Sequence, residues 1–118
     1  MDHRTNIVIN RMKNVLVATL QVTLTEDVLK QFKHQLLEML EKQHVPYVIF
    51  DYSGMDIIDP SEFEATISIS KMIKIMGAYT YFVGLQPSVV SSLIRFDVNI
   101  QGIRTALNID EALLEIQP

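Results

Sequence analysis

The run Pro46–Gly54, PYVIFDYSG, sets Tyr47, Val48, Ile49 and Phe50 side by side with no polar residue between them. A strand that is apolar at every position offers no face to water. It is the type buried on both sides in a parallel sheet, where crossover helices cover both faces. Its flanks support that reading. Before it, TEDVLKQFKHQLLEMLEKQHV carries Val28, Leu29, Phe32, Leu36, Met39 and Leu40 on one helical face, with Thr25 as N-cap and Glu26 and Asp27 at the positive end of the helix. After it, a second helix is expected from roughly Pro60 to Met76, then a strand AYTYFVGL, then a third helix opened by Pro87.

The two ends complete the pattern. NIVINRMKNVLVATLQVTL gives two β-rich runs around Met12, Lys13 and Asn14, which suits a hairpin or strand pair. NIQGIRTALNIDEALLEIQ offers a short strand and a last helix with Asn108 or Asp110 near its start. The order ββαβαβα(β)α predicts an α/β fold: a mostly parallel central sheet of about four to five strands with about four helices. No linker, charge block or repeat interrupts it, so residues 1–118 are expected to form a single domain.

Charge and cysteine usage narrow the function classes. Ten basic residues stand against 14 acidic ones, a net charge of −4, and no basic run is present. Neither nucleic acid nor a membrane surface is expected as partner. Cysteine is absent, so there is no disulfide framework and no thiolate chemistry, which suits a reducing cytosol. The N-terminal MDHRTNIVIN lacks the apolar core of a signal peptide, and no apolar run approaches the roughly 20 residues needed to span a bilayer. A cytoplasmic location is expected.

Catalytic patterns are missing. His3, His34 and His44 have no i, i+4 ligand spacing, and the four glycines, 54, 77, 84 and 102, are isolated rather than gathered in a phosphate-cradling loop. No metal site and no cofactor is expected. Asp51, Asp56 and Asp59 are carboxylates without cleft-forming insertions around them. Asp51 ends an apolar strand, where response-regulator receivers accept phosphate. Yet the first strand region closes on Gln21, Val22 and Thr23 instead of an acidic pair, and YFVGLQP supplies no lysine. Phosphoryl transfer to Asp51 would lack its electrophilic support.

The stretch GMDIIDPSEFEA carries the remaining chemistry. Asp59 is a strong N-cap type, Pro60 suits the first helical position, and Glu62 follows three residues after Asp59. Ser61 is either a small hydroxyl placed there by helix-start preference or a modification site. A phosphoryl group at that point meets the positive end of the helix dipole and free N–H donors. The fold tolerates it while a docked partner is repelled. The helix that follows is apolar on more than one side. Ala65, Ile69, Met72 and Met76 form one stripe, and Phe63 and Ile67 another, with Ile73 between. The excess is either deep packing or a protein-binding surface that includes Glu62, Ala65, Ile69, Met72 and Met76, with Ser61 at its rim.

Over nearly its whole length the chain resembles a STAS domain, the fold of anti-anti-sigma factors and of sulfate-transporter tails. The residues that carry the likeness are VPYVIFDYSGMDIIDPSEF, then MGAYTYFVGLQPSVVSSLI. IIDPSEFEATISISKMIKIMGA joined to GLQPSVVSSLI is most similar to the RsbS-type antagonist of the bacterial stressosome. That resemblance implies a protein without catalysis of its own. It would co-assemble with RsbR-like sensor co-antagonists into a large oligomeric assembly, or form a homodimer, and hold an RsbT-like serine/threonine kinase. The kinase would leave after phosphorylating a serine at the start of the second helix, and a phosphatase would reset that serine. ATP and Mg²⁺ would belong to the kinase.

One position departs from the pattern. Counted back from Met76, Gly77 and Ala78, the RsbS-type serine falls on Pro60, which cannot accept phosphate. Ser61 is the substitute, with Asp59 as its orienting partner, or the chain has lost the switch and acts as a scaffold. Ser53, Thr66, Ser68 and Ser88 do not occupy the family position. The alternatives are an anti-anti-sigma factor that binds an anti-sigma kinase directly, and a ligand-sensing STAS module without phosphorylation, with a pocket near Gln86 and Tyr81.

Overall fold

The computed structural model describes residues 7–116 apart from Val22; His3 and the last two residues, Gln117 and Pro118, also lie outside the described residues. Nine elements follow in the expected order: β1 (Val8–Met12), β2 (Val15–Thr19), α1 (Glu26–Gln43), β3 (Tyr47–Asp51), α2 (Pro60–Ile75), β4 (Tyr79–Val83), α3 (Pro87–Arg95), β5 (Arg104–Ala106) and α4 (Ile109–Ile116).

Local chemistry sets most of the boundaries. The β1–β2 hairpin turns on Lys13 and Asn14, with Lys13 left-handed at φ 57°. Thr25 Oγ1 accepts the Val28 N–H at 3.2 Å and opens α1. At the other end His44 takes φ 50° and donates its N–H to the Leu40 carbonyl at 3.0 Å. Asn108, of the two candidates, caps α4: its Oδ1 accepts the Glu111 N–H at 2.9 Å.

The sheet runs β1-β2-β3-β4-β5, with β1 antiparallel to β2 and every other pair parallel. The second β-rich run stops earlier than its composition suggests. Its last rung is the bond from the Leu20 N–H to the Asp51 carbonyl at 2.9 Å, and Gln21 and Thr23 lie outside the strand.

Each face of the sheet carries its own core. On one face Leu16, Val48, Phe50 and Phe82 meet Phe32 and Leu36 of α1, Phe63 and Ile73 of α2, and Val89 and Leu93 of α3. Phe50 stands at its centre, 5.4 Å from both the Phe32 and the Phe82 ring centroids in edge-on contact. On the other face Val15, Val17, Ile49, Tyr81 and Val83 pack against Ala112, Ile109 and Leu113 of α4. Ile49 and Phe50 are both fully buried, one in each core. This is the double burial that the uninterrupted apolar run in β3 requires.

Candidate functional site

The loop from β3 to α2 is anchored by inward residues. Tyr52 is fully buried, and Met55 and Ile58 are nearly so, while Ser53, Gly54, Asp56 and Ile57 face outward. The Tyr52 hydroxyl donates to Thr66 Oγ1 at 2.7 Å, and that hydroxyl donates to the Phe63 carbonyl at 2.7 Å. A strand end and the second turn of α2 are thus joined by two buried hydrogen bonds. Burial drives the Tyr52 phenol far above its ordinary pKa, with the Thr66 hydrogen bond partly opposing the rise. Asp51 accepts the Ser53 N–H at 3.0 Å, the role of a polar residue closing a strand.

On this anchored loop α2 begins as its sequence requires. Asp59 is the N-cap and Pro60 the first helical residue. Asp59 Oδ1 accepts two hydrogen bonds from Ser61, one from the backbone N–H at 2.8 Å and one from the hydroxyl at 2.6 Å. The Ser61 hydroxyl, followed by the Ser61 N–H, holds the Asp59 carboxyl below the usual carboxylate range. Glu62 is shifted the other way, first by partial burial and then by the Asp59 charge, with the backbone N–H groups of Asp59 and Leu24 pulling it partly back. Ser61 itself is exposed.

Beside Ser61 a groove of about 630 Å³ opens between α1 and α2. Ser61, Glu62, Ala65, Ser68, Ile69 and Met72 form its α2 wall. Leu24, Glu26, Leu29, Lys30 and Lys33 form the facing wall. Four of the five residues expected to form a partner surface therefore share one groove with Ser61. Two of the five are set apart by burial or position. Ile69 is 4% exposed and is a core residue at the groove rather than a presented contact. Met76 lies outside the groove, in a second depression with Leu37, Glu38 and Glu41 of α1. The apolar excess of α2 is in large part deep packing, since Phe63, Ile67, Ile69 and Ile73 are all buried between the sheet and the neighbouring helices.

Residues 6–112 match the STAS domain family. The chain belongs to the STAS family. Among curated relatives, this STAS domain is 25% identical over 101 residues to the blue-light photoreceptor of Listeria monocytogenes, covering 86% of the chain and 40% of the relative. It is 21% identical over 109 residues to RsbRA of Bacillus subtilis, an RsbT co-antagonist protein, covering 84% of the chain and 40% of the relative. The chain thus spans about two fifths of the length of these relatives. Its fold superposes with a TM-score of 0.81 on a serine-to-glutamate variant of RsbS from Moorella thermoacetica, at 23% identity, covering 95% of both chains.

Reading the STAS sequence missed the α1 wall of the groove. Lys30 and Lys33 follow Glu26 at i+4 and i+7 and border the apolar face that holds Leu29, a pattern equally consistent with a solvated helix flank. Only tertiary packing sets them opposite Ser61. Gln86 and Tyr81, suggested as pocket residues, are occupied elsewhere: Gln86 Nε2 donates to Asp56 Oδ1 at 3.0 Å, and Tyr81 is buried in the α4-side core. Among the described residues no three His, Asp or Glu side chains converge into a metal-binding group. No described helix is long and apolar enough to cross a membrane.

Proposed function

We propose that this STAS domain is a non-enzymatic component of a cytoplasmic stressosome that holds a serine/threonine kinase of the RsbT type and releases it when Ser61 is phosphorylated. The fold likeness to RsbS and the sequence match to an RsbT co-antagonist support the assembly and partner class. RsbR-like co-antagonists would complete the particle, and a phosphatase would reset it.

The observation that carries the switch is the position of Ser61: an exposed hydroxyl, oriented by Asp59, at the rim of a groove large enough to seat partner side chains. In the transfer step the Ser61 Oγ–Pγ bond forms as the bond between the ATP γ-phosphorus and its bridging oxygen breaks, and the hydroxyl proton passes to a base on the kinase. The product carries about −1.5 to −2 charge. It also loses the hydroxyl donor, so the Asp59 carboxylate that had been bonded to Ser61 now faces a dianion. The positive end of the α2 dipole offsets part of that charge, and the two buried bonds through Tyr52 and Thr66 hold the helix in place. A partner docked across the groove meets a changed field at its edge and leaves.

Incubation with an RsbT-like kinase and Mg²⁺-ATP tests the proposal. Ser61→Ala should take up no phosphate and keep the kinase bound, and Ser61→Asp should fail to hold it. Kinase binding that is indifferent to both substitutions would leave a scaffold without a switch.

A further inference from the structure

A second pocket, of about 300 Å³, lies between the later half of α2 and the β4–β5 edge of the sheet. Its α2 residues include Ser70, Lys71 and Lys74, which fall on the helical flank opposite Ile69 and Met72. It shares no residue with the groove beside Ser61.

Its electrostatics run against those of the whole chain. Lys71, Lys74 and Arg104 line it with no carboxylate among the described lining residues, in a protein of net charge −4. None of the three makes an ion pair among the described residues. Arg104 is held with its guanidinium 4.0 Å over the Tyr79 ring, a stacking contact that leaves its N–H fork free. Several of the nearby carbonyls at the end of α2 already accept hydrogen bonds. Met76 N–H bonds to the Met72 and Ile73 carbonyls, Gly77 N–H to Lys74 and Ala78 N–H to Ile73.

The pocket also borders an unmet polar group. Thr80 is 7% exposed, and its Oγ1 is a buried side-chain oxygen with no hydrogen-bond partner among the described residues. An isosteric valine would fill the same space without that penalty.

We infer that this pocket binds a small phosphorylated anion, either inorganic phosphate or the phosphate monoester of a short carbon skeleton. Three cations suit a group with three terminal oxygens better than a carboxylate with two, and a guanidinium fork matches phosphate geometry. The volume stands at the small end of ligand pockets, which limits the organic part to a few carbons. Bound there, the anion ties α2 to β5 and stabilises the folded chain by mass action.

Thermal melts and calorimetric titrations with inorganic phosphate and with glycerol 3-phosphate, at ionic strength held constant with chloride, test this. A saturable rise in Tm is expected with at least one of them. Arg104→Gln and Lys71→Gln, both at exposed side chains, should each weaken binding about tenfold. Thr80→Val should raise the Tm of the free protein, because it removes an unpartnered buried hydroxyl beneath the pocket. Equal affinity for both compounds assigns the site to the phosphoryl group alone, and tighter binding of the ester assigns it to a metabolite. No saturable shift with either, or binding untouched by both Arg104→Gln and Lys71→Gln, overturns the inference. The Ser61 proposal stands or falls separately.

Discussion

Asp59 Oδ1 lies 2.6 Å from the Ser61 hydroxyl oxygen and 2.8 Å from the Ser61 amide nitrogen, so one carboxylate oxygen both caps α2 and aims the serine. On the proposed function, the cap and the switch would share one contact. A phosphoryl group would remove the hydroxyl half of it and leave the amide half, so the helix start is expected to survive while negative charge beside Asp59 and Glu62 grows.

Asp59 reports on that contact. Its carboxyl is held below the usual range first by the Ser61 hydroxyl. A carboxyl with a depressed folded-state pKa adds stability that is present above its unfolded value, near 4, and is lost as the pH falls through the folded value. Ser61→Ala should move the Asp59 pKa up toward the ordinary range, read by carboxyl NMR titration, and shrink the acid-dependent loss of stability that Asp59 contributes. An unmoved Asp59 would mean that the backbone N–H alone sets it.

The bonds from Tyr52 to Thr66 and from Thr66 to Phe63 should be unequal in mutational cost. Tyr52→Phe removes a donor and leaves Thr66 bonded to Phe63, costing about 0.5–1.5 kcal/mol. Thr66→Val strands a fully buried phenol and costs about 1–3 kcal/mol. Urea unfolding of both variants checks the order. The phenol pKa is raised in the fold, so its contribution is complete below about pH 10 and is lost as the pH rises beyond that, when only the unfolded chain ionises. Tyr52→Phe should flatten this alkaline loss.

Met72 and Met76, 39% and 44% exposed, separate two surfaces. Met72 lines the groove with Ser61 and Met76 does not. Met72→Ala should weaken kinase binding by about 1 kcal/mol or more, as a contact at the centre of an interface does, and Met76→Ala by less. Calorimetry with both variants measures the difference. The reverse order would move the docking face toward the C-terminal half of α2.

Gly84 follows β4 and passes close to Ser53, just beyond the end of β3. It takes φ +72°, and a Cβ there would stand 2.8 Å from the Ser53 amide nitrogen and 2.9 Å from the Ser53 Cβ. Gly77 is also left-handed, at φ +96°, yet a Cβ there meets nothing within 4 Å. Gly77→Ala should cost about 1–2 kcal/mol for the left-handed backbone alone. Gly84→Ala should cost more, because Ser53 and the loop that leads to Ser61 must shift. Comparing the two Tm values decides it.

The fold was legible where local chemistry is self-sufficient. The unbroken apolar run of β3, Thr25 as a cap, and the pairing of Asp59 with Pro60 each hold in the structure as read. What escaped depends on residues distant in sequence. The last rung of β2 depends on Asp51, more than 30 positions away, through the bond from Leu20. The burial of Ile69 and the placing of Lys30 and Lys33 opposite Ser61 follow from how α1 packs on α2. Helical periodicity places Ile69, Met72 and Met76 on one stripe, but it cannot tell which part of that stripe a neighbouring helix covers. Thr66, passed over as a phosphate acceptor, is buried and bonded to Tyr52, a role its sequence position does not reveal.

The most direct test of the central claim is peptide mapping by mass spectrometry after incubation with an RsbT-like kinase and Mg²⁺-ATP, with kinase retention followed in the same sample. The account predicts one phosphate, on Ser61, appearing in step with release of the kinase. Phosphate on another residue, or release that proceeds equally from Ser61→Ala, would contradict it.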